Sequence, residues 1–171
     1  MIRKTAADYP SQTFRPKRGD IMYIFSGKWS GLDNFALTPV EVDVGWGPML
    51  YQTSEHAYQA AKADNRLEHH WVRDAQGPGP CKVRGQKVKM WPDWDTEKYH
   101  VMWEVLVAKF RQHPHLVELL DKTGKRRIYE GNTWNDRVWG VVEDRPSGKW
   151  TGQNALGMML MDLRDNKEWL K

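Results

Sequence analysis

The sequence predicts a mainly α-helical fold with short β-strands, an α+β architecture, from three observations. Apolar residues recur at helical spacing in several runs, β-branched and aromatic residues gather only in runs of a few residues, and Gly and Pro punctuate the boundaries between them. At 171 residues the chain has the size of one compact domain able to bury a core. Residues 1–18, with Pro10, Pro16 and mixed charge, read as an irregular N-terminal arm, and residues 19–171 as the domain.

The run Ile21 to Phe25 is β-rich and ends at Ser26-Gly27, which predicts a strand and a turn. Val40 to Val44 and Met49 to Gln52 predict two more strands around Gly45-Trp46-Gly47-Pro48. Thr53-Ser54 supplies an N-cap before Glu55 to Ala63, a run with high helix propensity and neither Gly nor Pro. A second helix is expected over Arg66 to Ala75, broken by Gly77-Pro78-Gly79-Pro80, and a third over Cys81 to Val88. Asp95 or Thr96 caps a longer helix to Gln112, Pro114 opens a short one that Gly124 follows, and the last runs from Ala155 to Leu170. Between these, Arg126 to Val142 reads as two strands flanking a loop.

A single cysteine, Cys81, excludes an internal disulfide and fits a reducing, cytoplasmic setting. No stretch approaches the roughly 18 apolar residues of a membrane span, and the first 18 residues lack the apolar core of a signal peptide. The net charge of +4 and pI of about 9.1 tilt toward anionic partners. Ten tryptophans are a larger deviation, since indole planes stack on flat heterocycles as well as filling cores.

Glu55, Tyr58, Gln59 and Lys62 lie at i, i+3, i+4 and i+7, so a helix places a carboxylate and an amine on one face. Toward a glycosidic carbon, Glu55 would move protons or activate water, and Lys62 would attack a ribose C1 if burial or a neighbouring cation lowered its pKa. The same spacing fits an ordinary surface Glu and Lys, and spacing does not choose between them. Asp136, between Trp134 and Trp139, suits a ribose hydroxyl beside a stacked base, or else is a turn aspartate with packing indoles. Trp150 to Gly157 puts two glycines and Asn154 at a helix start, where bare backbone N–H groups hold a phosphate, though a plain N-cap accounts for the same residues. The six histidines have no cysteine partners at zinc spacing, so no metal is expected. Cys81 is either a nucleophile or a buried inert thiol. Lys82, Arg84, Lys87 and Lys89 near Trp91 and Trp94, and Lys122, Lys125, Arg126 and Arg127, are basic clusters that fit a phosphate surface or a solvated face.

Several of these pieces follow one another between Phe25 and Arg164. They are Leu32-Asp33-Asn34-Phe35, Ser54 to Ala63, Asp93-Trp94 with Lys98 and Met102, Lys109-Phe110, Trp139-Gly140, and Gly152 to Gly157 with Leu160-Met161 and Arg164. In this order they resemble the NADAR (YbiA-like) family. The resemblance implies a mostly helical fold with short strands and hydrolysis of N-glycosidic bonds at ribose-like sugars, with no cofactor. Family activities include removal of ADP-ribose from guanine in DNA and cleavage of phosphorylated riboflavin-synthesis intermediates. By carry-over, Glu55, Trp94 and Asp136 fall on active-site positions and Lys62 on the lysine proposed to form a Schiff base. Asn34, Phe35, Tyr58, Gln59, Trp139, Gly140, Asn154 and Gly157 would shape the substrate pocket. The family's Gly-Arg after the third helix appears here as Gly85-Gln86, so the phosphate contact expected there is either missing or supplied by Arg84 or Lys87, and Asp33 replaces a common serine.

The expectation is a cytoplasmic N-glycosidase acting on an ADP-ribose-containing substrate carried by nucleic acid. Competing readings are cleavage of a riboflavin intermediate, a non-catalytic ADP-ribose or NAD reader that would tolerate loss of Glu55 and Lys62, and a plain nucleic-acid binder.

Overall fold

In the computed structural model of the chain, residues 3–23 and 27–170 are described, Met22 and Tyr23 by backbone alone. The fold is α+β, as the sequence predicts. Close contacts group the chain into two compact units, one of Ile2–Thr5 with Asp33–Pro114, the other of Ala6–Leu32 with His115–Lys171.

The first unit holds a hairpin and four helices. Strands β3 (Val40–Asp43) and β4 (Pro48–Tyr51) pair antiparallel with Val40 opposite Tyr51. Helix α1 (Ser54–Ala60) follows, its first turn capped by the Thr53 hydroxyl, which accepts from the His56 N–H. Every residue of α1 is buried. The helix stops three residues short of the expected Ala63. The Ala63 N–H returns to Ala60 O at 3.2 Å, and the Trp91 N–H then claims Lys62 O at 3.2 Å, so pairing with a distant segment ends a run whose propensity would continue it. Helix α2 (Arg66–Arg73) is capped by Asn65 and is two residues shorter than expected. Helix α3 (Pro78–Gly85) begins inside the Gly-Pro-Gly-Pro run that was expected to interrupt helices, because Pro at the first helical position forfeits only an N–H that has no helical partner. Helix α4 (Trp94–Gln112) packs on α1 and β3. The core here includes Val40, Tyr51, Ala57, Val72, Cys81 and Val105.

Lys109 of α4 is fully buried, and its ammonium donates to Asp33 O at 2.7 Å. That bond ties the Asp33–Phe35 loop to α4, and the Asn34 carbonyl in turn accepts the Glu55 N–H at 3.0 Å.

The second unit centres on a five-stranded sheet in the order β1-β7-β6-β5-β2. Strand β2 (Ile21–Tyr23) and β5 (Ile128–Asn132) are parallel, as are β5 and β6 (Val141–Asp144), while β7 (Lys149–Gly152) is antiparallel to β6 and to β1 (Gln12–Phe14). The arm expected to be irregular therefore supplies an edge strand and a 3-10 turn at Ala6–Asp8. The Ile24–Ser26 end of the expected strand lies outside the described residues. Helix α5 is Pro114–Asp121, and α6 (Ala155–Asp165) ends short of Leu170, with Lys167–Leu170 forming a separate 3-10 turn. Arg164 donates to Thr123 Oγ1 at 3.1 Å and Arg126 O at 2.8 Å, tying the end of α6 to the turn after α5.

Gly157 fixes how closely α6 lies on β5. A Cβ there would sit 2.4 Å from Ile128 O, which is backbone and cannot swing aside. In an open helix, Gly→Ala stabilises by about 1 kcal/mol. Gly157→Ala is expected to destabilise by about 1–3 kcal/mol in urea unfolding, since overpacking outweighs propensity. A second prediction follows from Lys109. Burial lowers its pKa from 10.5 to about 8, so between these values the unfolded chain binds a proton that the folded chain has released. Folding stability should therefore rise with pH from about 8 to 10.5, by on the order of 3 kcal/mol from this one group. The rise should be smaller by that amount in Lys109→Met, read from urea unfolding of both proteins across that window.

Candidate active site

Helix α1 places four polar side chains, Ser54, Glu55, His56 and Gln59, in a buried helix, each no more than 6% exposed. His56 is held on both ring nitrogens, Nδ1 by Thr53 Oγ1 at 2.8 Å and Nε2 by Ala75 O at 3.2 Å, and burial lowers its pKa, so it is scaffolding. Gln59 Nε2 donates to Glu55 Oε1 at 2.8 Å. Gln59 is itself clamped by α3, where a Cβ on Gly85 would lie 2.1 Å from Gln59 Oε1 and 2.8 Å from its Cβ. Glycine at 85 is what lets the two helices close on this pair.

Burial drives the Glu55 pKa upward, against the pull of the Gln59 hydrogen bond and of the Lys82 and Lys62 charges, with Asp33 adding a smaller upward push. Lys62 moves the other way. Burial lowers its pKa, Lys82 and Lys98 lower it further, and the attraction of Glu55 opposes the shift. The Lys62 Nζ lies 5.4 Å from the Tyr58 ring centroid and 5.9 Å from that of Trp94, so its ammonium form leans on two aromatic faces in place of water. Those rings pack on each other at 5.2 Å, and Trp94 is buried. Lys62 sits in the turn after α1 rather than on the helix, yet it reaches the Glu55 environment that the helical spacing anticipated.

The Asp33–Phe35 loop adds acceptors. Asp33 Oδ1 accepts the Phe35 N–H at 2.8 Å, and burial raises the Asp33 pKa against that bond and the Lys109 and Lys82 charges. Asn34 Nδ2 donates only to the Met102 sulfur, at 3.3 Å. Asp33 Oδ2, Asn34 Oδ1, Ser54 Oγ and Gln59 Oε1 are buried without a hydrogen-bond partner among the described residues. Such atoms are costly, at roughly 1–3 kcal/mol each, and their concentration at α1 and the loop before it marks a polar site rather than a packed core.

Arg84 donates to Trp71 O at 2.6 Å, with its guanidinium 5.2 Å from the Trp71 ring. The cation that acts on both Glu55 and Lys62 is Lys82, which sequence reading left in a generic basic cluster, and which also lies 5.9 Å from the Phe35 ring. Cys81 is buried, its Sγ 3.9 Å from Glu55 O, and burial pushes its pKa up to about 12, so it is an inert thiol and not a nucleophile.

In the other unit, Asp136 organises a turn. Its Oδ1 accepts the N–H groups of Val138 and Trp139 at 3.0 Å each, and Asn132 brackets its backbone from both sides. Asn154, in the left-handed region at φ 53°, donates to Ile128 O at 2.9 Å and accepts from Glu130 N at 3.0 Å, so its side chain is bonded to β5. Gly140 backs onto Glu130 O just as Gly157 does onto Ile128 O. The phosphate reading of the α6 start fails for its first donors. The N–H groups of Ala155 and Leu156 go to Val138 O and Trp139 O, both at 3.1 Å. Arg126 of the second basic cluster likewise donates to Thr123 O at 2.7 Å. No group of three or more His, Cys, Asp or Glu side chains able to hold a metal ion occurs among the described residues, and no helix among them is long and apolar enough to cross a membrane.

Comparison with known proteins identifies the family. Residues 13–166 match the NADAR domain. The N-glycosidase YbiA of Escherichia coli (strain K12) is 34% identical over 145 residues, covering 84% of each chain. The N-glycosidase R617 of Acanthamoeba polyphaga mimivirus is 32% identical over 109 residues, 58% of this chain and 64% of that one. The chloroplastic riboflavin biosynthesis protein PYRR of Zea mays is 30% identical over 126 residues, 67% of this chain but 19% of that protein. The NMR structure of E. coli YbiA superimposes with a TM-score of 0.69 at 32% identity, over 88% of this chain and 87% of that one. The chain therefore belongs to the NADAR family, and with it to the hydrolases that cleave N-glycosidic bonds.

Proposed function

We propose that this N-glycosidase removes ADP-ribose from ADP-ribosylated guanine in DNA, with Glu55 and Lys62 carrying the chemistry. The observation behind the roles is the opposed pair of pKa shifts at one buried turn, Glu55 upward and Lys62 downward, burial being the largest cause of both. A protonated carboxyl can give a proton to a departing base nitrogen, and an unprotonated amine can attack a sugar carbon. Each shift raises the share of the form that the first step of a covalent route uses.

In the covalent route the Lys62 amine adds to ribose C1 as the bond from C1 to the base nitrogen breaks, and Glu55 protonates the base. Loss of the proton from the new amine linkage, with opening of the sugar ring to a free hydroxyl, gives an imine. Water adds to the imine carbon with Glu55 as base, releasing the lysine amine and the sugar. In the direct route a water activated by Glu55 attacks C1 and no adduct forms. Tyr58 and Trp94 offer the aromatic surface beside Lys62.

Exposed Lys87 on the same unit as Glu55, with Lys89 beside it in its pair with Asp64, favours a polymeric anion over a small one. The second reading, a phosphorylated riboflavin intermediate, is favoured by the likeness to PYRR alone.

The test is a DNA oligonucleotide bearing ADP-ribosylated guanine, with mass-spectrometric detection of released ADP-ribose and borohydride to trap an imine. Wild type should release it, and Glu55→Gln should lose roughly 10²–10⁴-fold in rate. Lys62→Ala should abolish both release and the trapped adduct. Release that survives Lys62→Ala with no adduct in wild type would leave only the water route. Binding of ADP-ribose without release would transfer the reading to the riboflavin substrate, assayed the same way. The rate should fall as pH drops below the raised Glu55 pKa in the step that needs its carboxylate, and also where Lys62 becomes protonated.

A further inference from the structure

A cleft of about 260 Å³ opens beside the turn that carries Lys62, lined by Trp46, Trp91, Asp64, Ala61 and Ala63 with the Val44–Gly45 segment. It is smaller than the roughly 300–1,000 Å³ of sites for drug-sized ligands, so it suits one ring system. Ala61 and Ala63 are 3% and 2% exposed and bring no polar side chain to it.

Both tryptophans are held in place while remaining partly exposed. Trp91 donates its Nε1–H to Ala61 O at 3.0 Å and meets Trp94 edge-on at 6.2 Å. Trp46 stands at the tip of the β3–β4 hairpin between Gly45 and Gly47, whose φ values of 104° and 88° few other residues adopt. Asp43 Oδ1 fixes that tip by accepting both glycine N–H groups, at 2.8 and 3.0 Å. The Trp46 ring leans on His69 at 6.1 Å. Two immobilised indoles form a stacking surface whose ordering entropy is already met by the fold.

Asp64 sets the polarity of the ligand. Its Oδ1 accepts from Asn65 Nδ2 at 3.0 Å and its Oδ2 pairs with Lys89. An ionised carboxylate has about four acceptor positions, so these two partners do not saturate it. An acceptor-only group repels phosphate and selects N–H donors. A planar ring with two adjacent N–H donors on one edge, a ring N–H and an exocyclic amine, answers both features. Among nucleobases that edge belongs to guanine.

We propose that this cleft binds a guanine base, and that in a nucleic-acid substrate it holds a guanine near the nucleotide being cleaved at Glu55 and Lys62. Only the second half rests on the proposed function. The link to the reaction is direct in the chain, since Ala61 and Ala63 flank Lys62 and the Trp91 N–H donates to Lys62 O at 3.2 Å.

The test is an NMR titration of the full chain with guanosine, inosine and adenosine, following the indole N–H signals of Trp46 and Trp91 as assigned with W46F and W91F. Guanosine should shift both signals. Inosine, lacking the exocyclic amine, should bind about tenfold more weakly, the worth of one hydrogen bond of about 1.4 kcal/mol. Asp64→Asn should erase that difference, and Trp46→Ala should weaken guanosine about tenfold through lost stacking. Equal binding of the three nucleosides, no shift at millimolar guanosine, or binding indifferent to Trp46→Ala would overturn the proposal. In the hydrolysis assay, Trp46→Ala should raise KM for an oligonucleotide with a guanine beside the modified one and leave kcat unchanged, and a modified single nucleoside should show no KM change. Guanosine binding without any hydrolysis would count against the proposed reaction and not the cleft, whereas hydrolysis without guanosine binding would count against the cleft alone.

Discussion

Complete burial of α1 is the constraint on which the rest depends. A short helix buried on every side is ordinarily apolar, because each unpaired polar group taken from water costs several kcal/mol. Here Ser54, Glu55, His56 and Gln59 are all inside, and the surroundings answer them one at a time. Thr53 caps the first turn and holds His56, Ala75 O takes the other face of that imidazole, and Gln59 turns to Glu55. Tyr51 and Ala60 engage the two nitrogens of His69 from the same core, each at 2.9 Å. Ser54 Oγ and Gln59 Oε1 of α1, with Asp33 Oδ2 and Asn34 Oδ1, stay without a partner among the described residues. Selection for stability alone would replace them with apolar groups, so their retention points to use.

Electrostatics at this turn come from a contest that burial wins. Two opposite unit charges about 4 Å apart attract by roughly 4 kcal/mol at an effective dielectric of 20. Such attraction between Glu55 and Lys62 would stabilise both ions. Removal from water disfavours both, and the shifts follow the removal. Lys82 breaks the symmetry. Its charge favours the Glu55 carboxylate but disfavours a second ammonium at Lys62. Lys82 thus eases loss of the Lys62 proton while opposing protonation of Glu55. Lys109 works at one remove, holding the loop whose Asn34 carbonyl receives the first N–H of this chemistry.

Much of this was legible in the sequence where local signals dominate. The Thr53 cap, the run from Ser54, the α4 and α5 helices and the β3–β4 hairpin all follow from propensity, capping and turn residues. Glu55, Tyr58, Gln59 and Lys62 were grouped by spacing, and they do meet, although the helix ends before Lys62. What escaped depends on partners far along the chain. Strands β1 and β7, of three and four residues, have no alternation long enough to register; β1 forms by pairing with β7, and β7 by pairing with both β1 and β6. Lys109 read as one more charge on a helix, since nothing local announces a carbonyl 76 residues away. Lys82 and Arg84 are neighbours of like charge two residues apart on α3, so only the folded helix shows that one turns to Phe35 and the other to Trp71. The left-handed Asn154 reads locally as a helix cap, whereas its side chain serves β5.

Burial holds the Lys62 pKa below that of an ordinary lysine, as the proposed attack on a sugar carbon requires. The direct measurement is an NMR titration of the lysine side-chain signals in the intact chain, with Lys62→Arg identifying the Lys62 resonance. The midpoint should lie below the unperturbed value of about 10.4 and move upward when Lys82→Met removes the neighbouring cation. A midpoint at or above that value would show that the attraction of Glu55 outweighs burial, and Lys62 would then be a charged partner of the carboxylate and not a nucleophile.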